Sequence, residues 1–438
     1  MKRMWLAALL SVAVVCAGAA PMFAVIGTID NVPAATLLLP YFEVDLDNPA
    51  GVTTLMSINN ASATAVLAHV VIWTDLSVHV LDFNIYLTGY DVQSINLRDV
   101  LVHGNLPLTA DDARDPSDTI SNQGPASQDI SFPGCAGILP YANPALNALY
   151  LDHVQSTLTG QPSDLFFNGL CSGIDHGDRL ARGYVTVDAV NQCSTNFPPD
   201  VGYFVSGGNG VATNQNVLWG DYIYVNSEQN FANGDTLVHI EADPTLGLAN
   251  YTFYYRYTNF NGSPGADNRE GLGNVFAVRY LDGGVFSGGS SLKVWRDSKR
   301  SINPFSCNAN FPNPFPLGQS QIVVFDEEEN FETPQGCQIS PCLPQEGIIP
   351  FPWEAQNTEV GSADLPVGPS FGWIYLNLNS TVPGSQVNFE PLMQNWVAVE
   401  MRSEGRYSVG FGAIQLGNVT DGFIEDPCIG PGCFPSVD

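Results

Sequence analysis

Four runs near the start of the chain share one rhythm. Residues 52–59 (VTTLMSIN), 65–73, 78–87 and 92–97 are rich in β-branched and aromatic side chains and are parted by short polar breaks. They predict antiparallel strands, because the connections are too short for helices to cross between parallel ones. The central stretch, residues 64–87 (TAVLAHVVIWTDLSVHVLDFNIYL), reads as two paired strands around which the others gather. An earlier run, residues 35–44 (ATLLLPYFEV), predicts a strand in which Pro40 marks an edge or a bulge.

The rhythm then breaks. Residues 102–182 read as a loop or linker, acidic and Pro/Gly/Ser-bearing at TADDARDPSDTISNQGPASQD, with one helix over residues 143–158. There Pro144 suits a first helical turn, and Leu146, Leu149, Tyr150 and Val154 make an apolar stripe. Strand signals return at residues 183–190, 217–225, 236–242, 251–260, 275–281, 292–296 and 321–325, with tight turns expected at Asn233–Gly234, Asn261–Gly262 and Asp282–Gly283. A Cys/Pro-rich loop (327–370), three closing strands (within 371–417) and a tail (418–438) complete the chain. The pattern predicts an all-β fold of antiparallel immunoglobulin-like β-sandwiches with long loops and one short helix. One sandwich is expected over residues 25–101 and a second over 183–326, with the closing strands completing either.

Composition adds a compartment. The opening MKRMWLAALLSVAVVCAGAA has Lys2 and Arg3 ahead of an apolar run and small residues, an export signal over residues 1–19. No later apolar run is long enough to span a membrane as a helix. With 15 Lys+Arg against 44 Asp+Glu, the net charge of −29 repels nucleic acid and anionic lipid. Eight cysteines follow the signal: Cys135, Cys171, Cys193, Cys307, Cys337, Cys342, Cys428 and Cys433. An even number in an exported chain predicts disulfides. The close pairs Cys337/Cys342 and Cys428/Cys433 are expected to close locally, with zinc as the alternative, and the other four to pair among themselves.

The stretches NNASATAVLAHVVIWTD and VLDFNIYLTGYDVQSINLRDVL resemble the immunoglobulin-like modules of secreted bacterial proteins. The resemblance covers about the first hundred residues, implies a sandwich at or outside the cell surface, and carries over no functional residue.

Familiar catalytic signatures are missing: no HExxH, GxSxG, Walker loop or dinucleotide fingerprint. Two constellations remain as candidates. Glu43, Asp45 and Asp47 fall at alternate positions at a strand end, and Asp326, Glu327 and Glu328 open a second acidic run, each a candidate for calcium, which wants many oxygens. A sugar-binding face is the other. In VLWGDYIYV, Trp219 and Asp221 share one side of a strand and Tyr222 and Tyr224 the opposite one. In YTFYYRYTNF, alternation sets Tyr254 and Arg256 apart from Tyr251, Phe253, Tyr255 and Tyr257. Asp175, His176 and Asp178 read as a solvated loop, and His69 as a structural histidine within an apolar strand.

The sequence thus leads to an exported structural, adhesive or matrix protein, secreted or periplasmic, with glycans or surface proteins as partners. A carbohydrate-binding module is the alternative.

Overall fold

The computed structural model describes residues 32–107, 135, 145–245, 252–284, 288–297, 303–307, 322–332, 350–378, 394–403 and 407–417. The close cysteine pairs lie outside these residues, as does the expected export signal. In chain order the elements are β1 (Thr36–Asp45), β2 (Val52–Asn60), β3 (Val66–Thr74), β4 (His79–Leu87), β5 (Val92–Asn96), α1 (Leu97–Leu101), α2 (Ala148–Leu158), β6 (Leu180–Val190), β7 (Leu218–Trp219), β8 (Asp221–Asn226), β9 (Phe231–Thr236) and β10 (Val238–Ile240). They continue with α3 (Tyr255–Phe260), β11 (Val275–Leu281), β12 (Gly289–Arg296), β13 (Ile322–Phe325), β14 (Phe331–Glu332), β15 (Ala355–Glu359), β16 (Phe371–Asn377), β17 (Asn395–Ser403), β18 (Tyr407–Gly412) and β19 (Ile414–Gly417). The fold is all-β and antiparallel.

Four sheets form: β10-β1-β6-β3-β4, β5-β2-β8-β9 with β7 on β2, β14-β13-β16-β11-β19, and β15-β12-β17-β18. The division between the two sandwiches differs from the expected one. β6 pairs with both β1 and β3, and β8 pairs with β2, so strands expected to open the second sandwich instead complete the first. The second sandwich begins at β11. Its sheets take β16 and β17 as central strands, which settles the closing segment into this body. Local alternation fixes which residues face a core but not which distant strand supplies the partner.

Several local expectations also shift for visible reasons. Pro40 sits inside the register shift between Leu39 and Phe42, so a central strand tolerates its missing N–H at a bulge. Asn233–Gly234 lies within β9 rather than at a turn. Any Cβ on Gly234 would meet the Tyr222 carbonyl at 2.3 Å, so glycine there serves close strand approach. The helix starts at Ala148, where the Asn147 side chain accepts the Tyr150 N–H at 2.9 Å. Its buried face is His153, Val154, Thr157 and Leu158, while Leu149 points to solvent. The stretch read as a strand over residues 251–260 contains α3, whose Tyr255, Arg256, Tyr257 and Thr258 are all buried. Four consecutive buried residues offer no polar alternation to reveal their period, and the exposed end is Asn259 and the apolar Phe260.

The two sandwiches share a wall. In the β15-β12-β17-β18 sheet, Leu292, Val294, Val397 and Val399 enter the second core, whereas Trp295 and Ala355 belong to the first. Trp295 lies edge-on to Tyr184 at 5.9 Å and stacks on Phe253 at 5.3 Å. At the same junction Arg256 is held between two carboxylates. Its Nε and Nη2 donate to Asp297 Oδ1 at 2.9 and 2.5 Å, and Nη2 donates to Glu354 Oε1 at 3.1 Å. Glu354 also accepts from Ser77 Oγ, which in turn accepts from the Tyr184 hydroxyl at 2.7 Å. The flanking carboxylates outweigh burial and keep the guanidinium pKa well above its ordinary value. A second charged group, Asp188, is buried among Thr36, Tyr203 and Tyr254, all of which donate to it.

Two disulfides, Cys135–Cys193 and Cys171–Cys307, close 58- and 136-residue separations and fit an oxidising compartment. The four non-adjacent cysteines therefore do pair among themselves. No helix among the described residues is long and apolar enough to cross a membrane.

Replacing Arg256 by Met should lower the free energy of unfolding by about 3–5 kcal/mol, because two carboxylates are left buried without their cation; urea titration of both proteins measures the loss. A second test concerns His153, whose Nδ1 lies 2.7 Å from Ser163 Oγ between the rings of Phe166 and Phe167. Burial lowers its pKa from 6.5 to about 4. The folded state then binds fewer protons than the unfolded one between these values, so stability present above pH 6.5 is lost as the pH falls toward 4. Melting temperatures at pH 7 and 5 should differ more for the wild type than for His153→Gln.

Candidate functional site

The strand ends of the first sandwich and the approach to β15 enclose a cleft of about 440 Å³. One wall carries Tyr41 and Glu43 from β1, Arg182 from β6, and His176. The other carries Pro350, Pro352 and Trp353 with Ala355, Gln356, Asn357 and Thr358 of β15, and Asp364 beyond it.

The first wall is organised by charge. Tyr41 donates its hydroxyl to Glu43 Oε1 at 2.6 Å, and Arg182 Nε lies 3.6 Å from the same oxygen. Burial and the Glu43 carboxylate push the Tyr41 phenol well above its ordinary pKa, so it remains a donor. Arg182 also grips Asp178 with both terminal nitrogens, at 2.7 and 2.8 Å, which holds that carboxyl below its usual range. His176 reaches Asp75 Oδ2 at 3.4 Å from a loop in which Asp175 Oδ1 accepts the Gly177 N–H at 2.8 Å. Asp75 is buried, which raises its pKa against the opposing pull of His176 and the Ile174 N–H. Its carbonyl accepts from Glu354 and Ala355 N–H, joining this wall to the other.

The second wall is organised by amides. Gln356 Oε1 accepts the Trp353 N–H at 2.8 Å while Gln356 Nε2 donates to the Trp353 carbonyl at 2.7 Å. This reciprocal clasp fixes the tryptophan backbone and leaves its half-buried ring at the cleft. Thr358 Oγ1 donates to the Pro350 carbonyl at 2.9 Å, and Asn357 Oδ1 has no hydrogen-bond partner.

The residues proposed for calcium are otherwise engaged. Asp45 Oδ1 accepts the N–H groups of Asp47 and Asn48 at 3.0 and 2.9 Å, and Asp47 lies 3.6 Å from Arg179. The loop carbonyls that would complete an oxygen cage instead accept from Arg98: those of Asp45 and Asn48 take Nη1 at 2.7 and 2.8 Å, and those of Gly51 and Val52 take Nη2 at 3.0 and 2.9 Å. Arg98 thus gathers the backbone carbonyls of this loop. In the second run, Asp326 caps its own turn by accepting the Glu328 and Asn330 N–H groups, both at 2.9 Å, while Glu327 and Glu328 are exposed. No group of three or more His, Cys, Asp or Glu side chains converges among the described residues.

The proposed sugar-binding residues are divided by the fold. Tyr222, Tyr224, Tyr254 and Arg256 are buried, so the tyrosine rows face the interior and this part of the expectation is corrected. Each ring removes a large apolar area from water, and Tyr224 and Tyr254 also find internal acceptors in the Tyr41 carbonyl and Asp188. Trp219 and Asp221 do lie on an open sheet face, Trp219 at 41 % exposure and Asp221 accepting from Ser57 Oγ at 2.9 Å.

No family model, curated protein or solved structure matches this chain.

The cleft therefore stands on its own geometry. Sequence reading missed its second wall, which lies in the segment taken for a Cys/Pro-rich loop. The signal available was a tryptophan between prolines and a polar run, PFPWEAQNTE. Nothing in that run shows that Gln356 folds back on Trp353.

Proposed function

We propose that the protein is an exported, non-catalytic surface or matrix component that recognises a saccharide in the cleft between its sandwiches. The observation that carries this reading is the clasped Trp353 beside Glu43, Arg182 and Asn357 in a cleft of about 440 Å³. An indole face stacks on the apolar side of a pyranose, while a few fixed polar groups pair with its hydroxyls. Binding is favoured over catalysis because the cleft's titratable groups are tied to one another: Glu43 to Tyr41 and Arg182, Arg182 to Asp178, and His176 to Asp75.

The disulfides, the acidic surface and the likeness of the first hundred residues to secreted immunoglobulin-like modules support placement outside the cytoplasm. A second reading, glycan contact at Trp219 and Asp221, rests on their exposure on the face of the β5-β2-β8-β9 sheet.

A panel of neutral and acidic oligosaccharides, titrated with tryptophan fluorescence as readout, tests both. Trp353→Ala should weaken binding at least tenfold, about 1.4 kcal/mol, with Trp219→Ala unchanged. The reverse result transfers the site to the open sheet face, and an absence of binding across the panel overturns the saccharide reading.

A further inference from the structure

Lysine is scarce in this chain: Lys2, Lys293 and Lys299 are its only examples. Lys293 is nevertheless buried at 3 % exposure in the middle of β12, on the face turned toward the first sandwich. Full burial of lysine is rare and calls for a specific partner. Its Nζ lies 2.5 Å from Glu400 Oε2 on β17, 3.5 Å from Ser291 Oγ, and 4.8 Å from the centroid of the Tyr224 ring. Glu400 is equally buried, and its other oxygen accepts from Arg402 Nη1 at 3.1 Å.

A fourth residue, Asn357, stands across the strand from Lys293. It is the register partner of Lys293 across the β12–β15 pair, opposite the side on which β17 lies. Directly opposed side chains of an antiparallel pair project from the same face, with Cβ atoms about 4.5–5.5 Å apart. Asn357 Oδ1 is buried and has no hydrogen-bond partner, so its carboxamide is not committed to another group through that oxygen. An amine, a carboxamide and a carboxylate thus lie on three adjacent strands, the amine and the carboxylate buried and the carboxamide at the wall of the cleft.

We propose that Lys293 and Asn357 join in an intramolecular isopeptide bond, with Glu400 carrying the protons. Glu400 Oε2 takes a proton from the Lys293 ammonium, freeing the Nζ lone pair to attack Cγ of Asn357. A second Nζ proton passes by way of Glu400 to Nδ2 of the tetrahedral intermediate. The Cγ–Nδ2 bond breaks, ammonia leaves and carries off the proton first removed, and Glu400 returns to a carboxylate. Lysine ammonium and carboxamide become a secondary amide and an ammonium ion, with no oxidant, reductant or co-reactant. The bond ties β15, an edge strand and a wall of the cleft, to the shared sheet by a link that thiols do not open. The bond engages Asn357 on the cleft wall, and its test needs no ligand there.

Mass spectrometry of the full secreted protein, reduced, alkylated and digested with chymotrypsin, tests the bond. The expected product is a branched peptide uniting the segments that contain Lys293 and Asn357, lighter by one ammonia than their sum. Glu400→Gln, with its fold checked by circular dichroism, should yield the two segments unlinked. Wild-type protein in which both segments emerge separately at full mass overturns the proposal. So does a branched peptide joining Lys293 to Glu400 and lighter by one water, which would make Glu400 the acyl partner. The wild-type digest is decisive even if the variant does not fold.

Discussion

The Arg256 guanidinium, buried between Asp297 and Glu354, is the interaction on which the rest of this molecule depends. A desolvated ion pair is costly, and replacement by apolar residues is often neutral or better for stability alone. Its value here is directional. Arg256 comes from the segment linking the sandwiches, Asp297 follows β12, Glu354 precedes β15, and Ser77 with Tyr184 reaches in from the first sandwich. Each group needs the others to satisfy its hydrogen bonds, so the two bodies are seated at one angle. Apolar burial across the same junction, Trp295 against Phe253 and Tyr184, supplies adhesion without that direction.

From this seating the cleft follows. Asp75 accepts the Glu354 and Ala355 N–H groups beside the buried pair, which brings β15 against the ends of β1 and β6. Trp353 lies one residue before Glu354, so the same anchor places the indole opposite Glu43 and Arg182. The walls differ in chemistry because they come from different sandwiches, one with an arginine–carboxylate network and the other with amides and a tryptophan. Positioned aromatic and polar groups on rigid strands are what recognition of a hydroxylated ligand needs.

Several cations among the described residues are employed structurally. Arg98 collects four loop carbonyls, Arg269 is buried against Thr36, Asn214 and the Thr213 carbonyl, and Lys293 is buried against Glu400. Arginine's fixed fork lets one side chain satisfy several acceptors at once, which explains its use where a loop or junction must hold a single shape. Other acidic residues, Asp221, Glu327 and Glu328 among them, lie at the surface, where excess charge of one sign supports solubility.

Sequence alone determined the class of structure. The β-branched and aromatic runs through β2 to β5 and in β11, β12 and β17 marked the strands; a single buried side shows in β2, β5 and β11, where side-chain direction reverses at every residue, whereas β3, β4, β12 and β17 are buried on both faces. His69 lies wholly buried, in keeping with its apolar strand, and Asn261–Gly262 and Asp282–Gly283 turn with left-handed glycines at φ 71° and 64°. What only the tertiary structure decided were relations between distant residues. The pairing of β6 with β1 and β3 depends on neighbours more than a hundred residues away, the strand at Ala355–Glu359 on β12, 60 to 68 residues earlier, and the helical turn at Tyr255–Phe260 on burial of Tyr255 to Thr258. The acidic run at Glu43–Asp47 was legible as a cluster but not as a loop held by Arg98, and the tyrosines of β8 were legible as a row but not as an inward one. Local pattern records the period of the backbone and the side that is buried. Which partner fills the space on that side is settled only when the chain closes on itself.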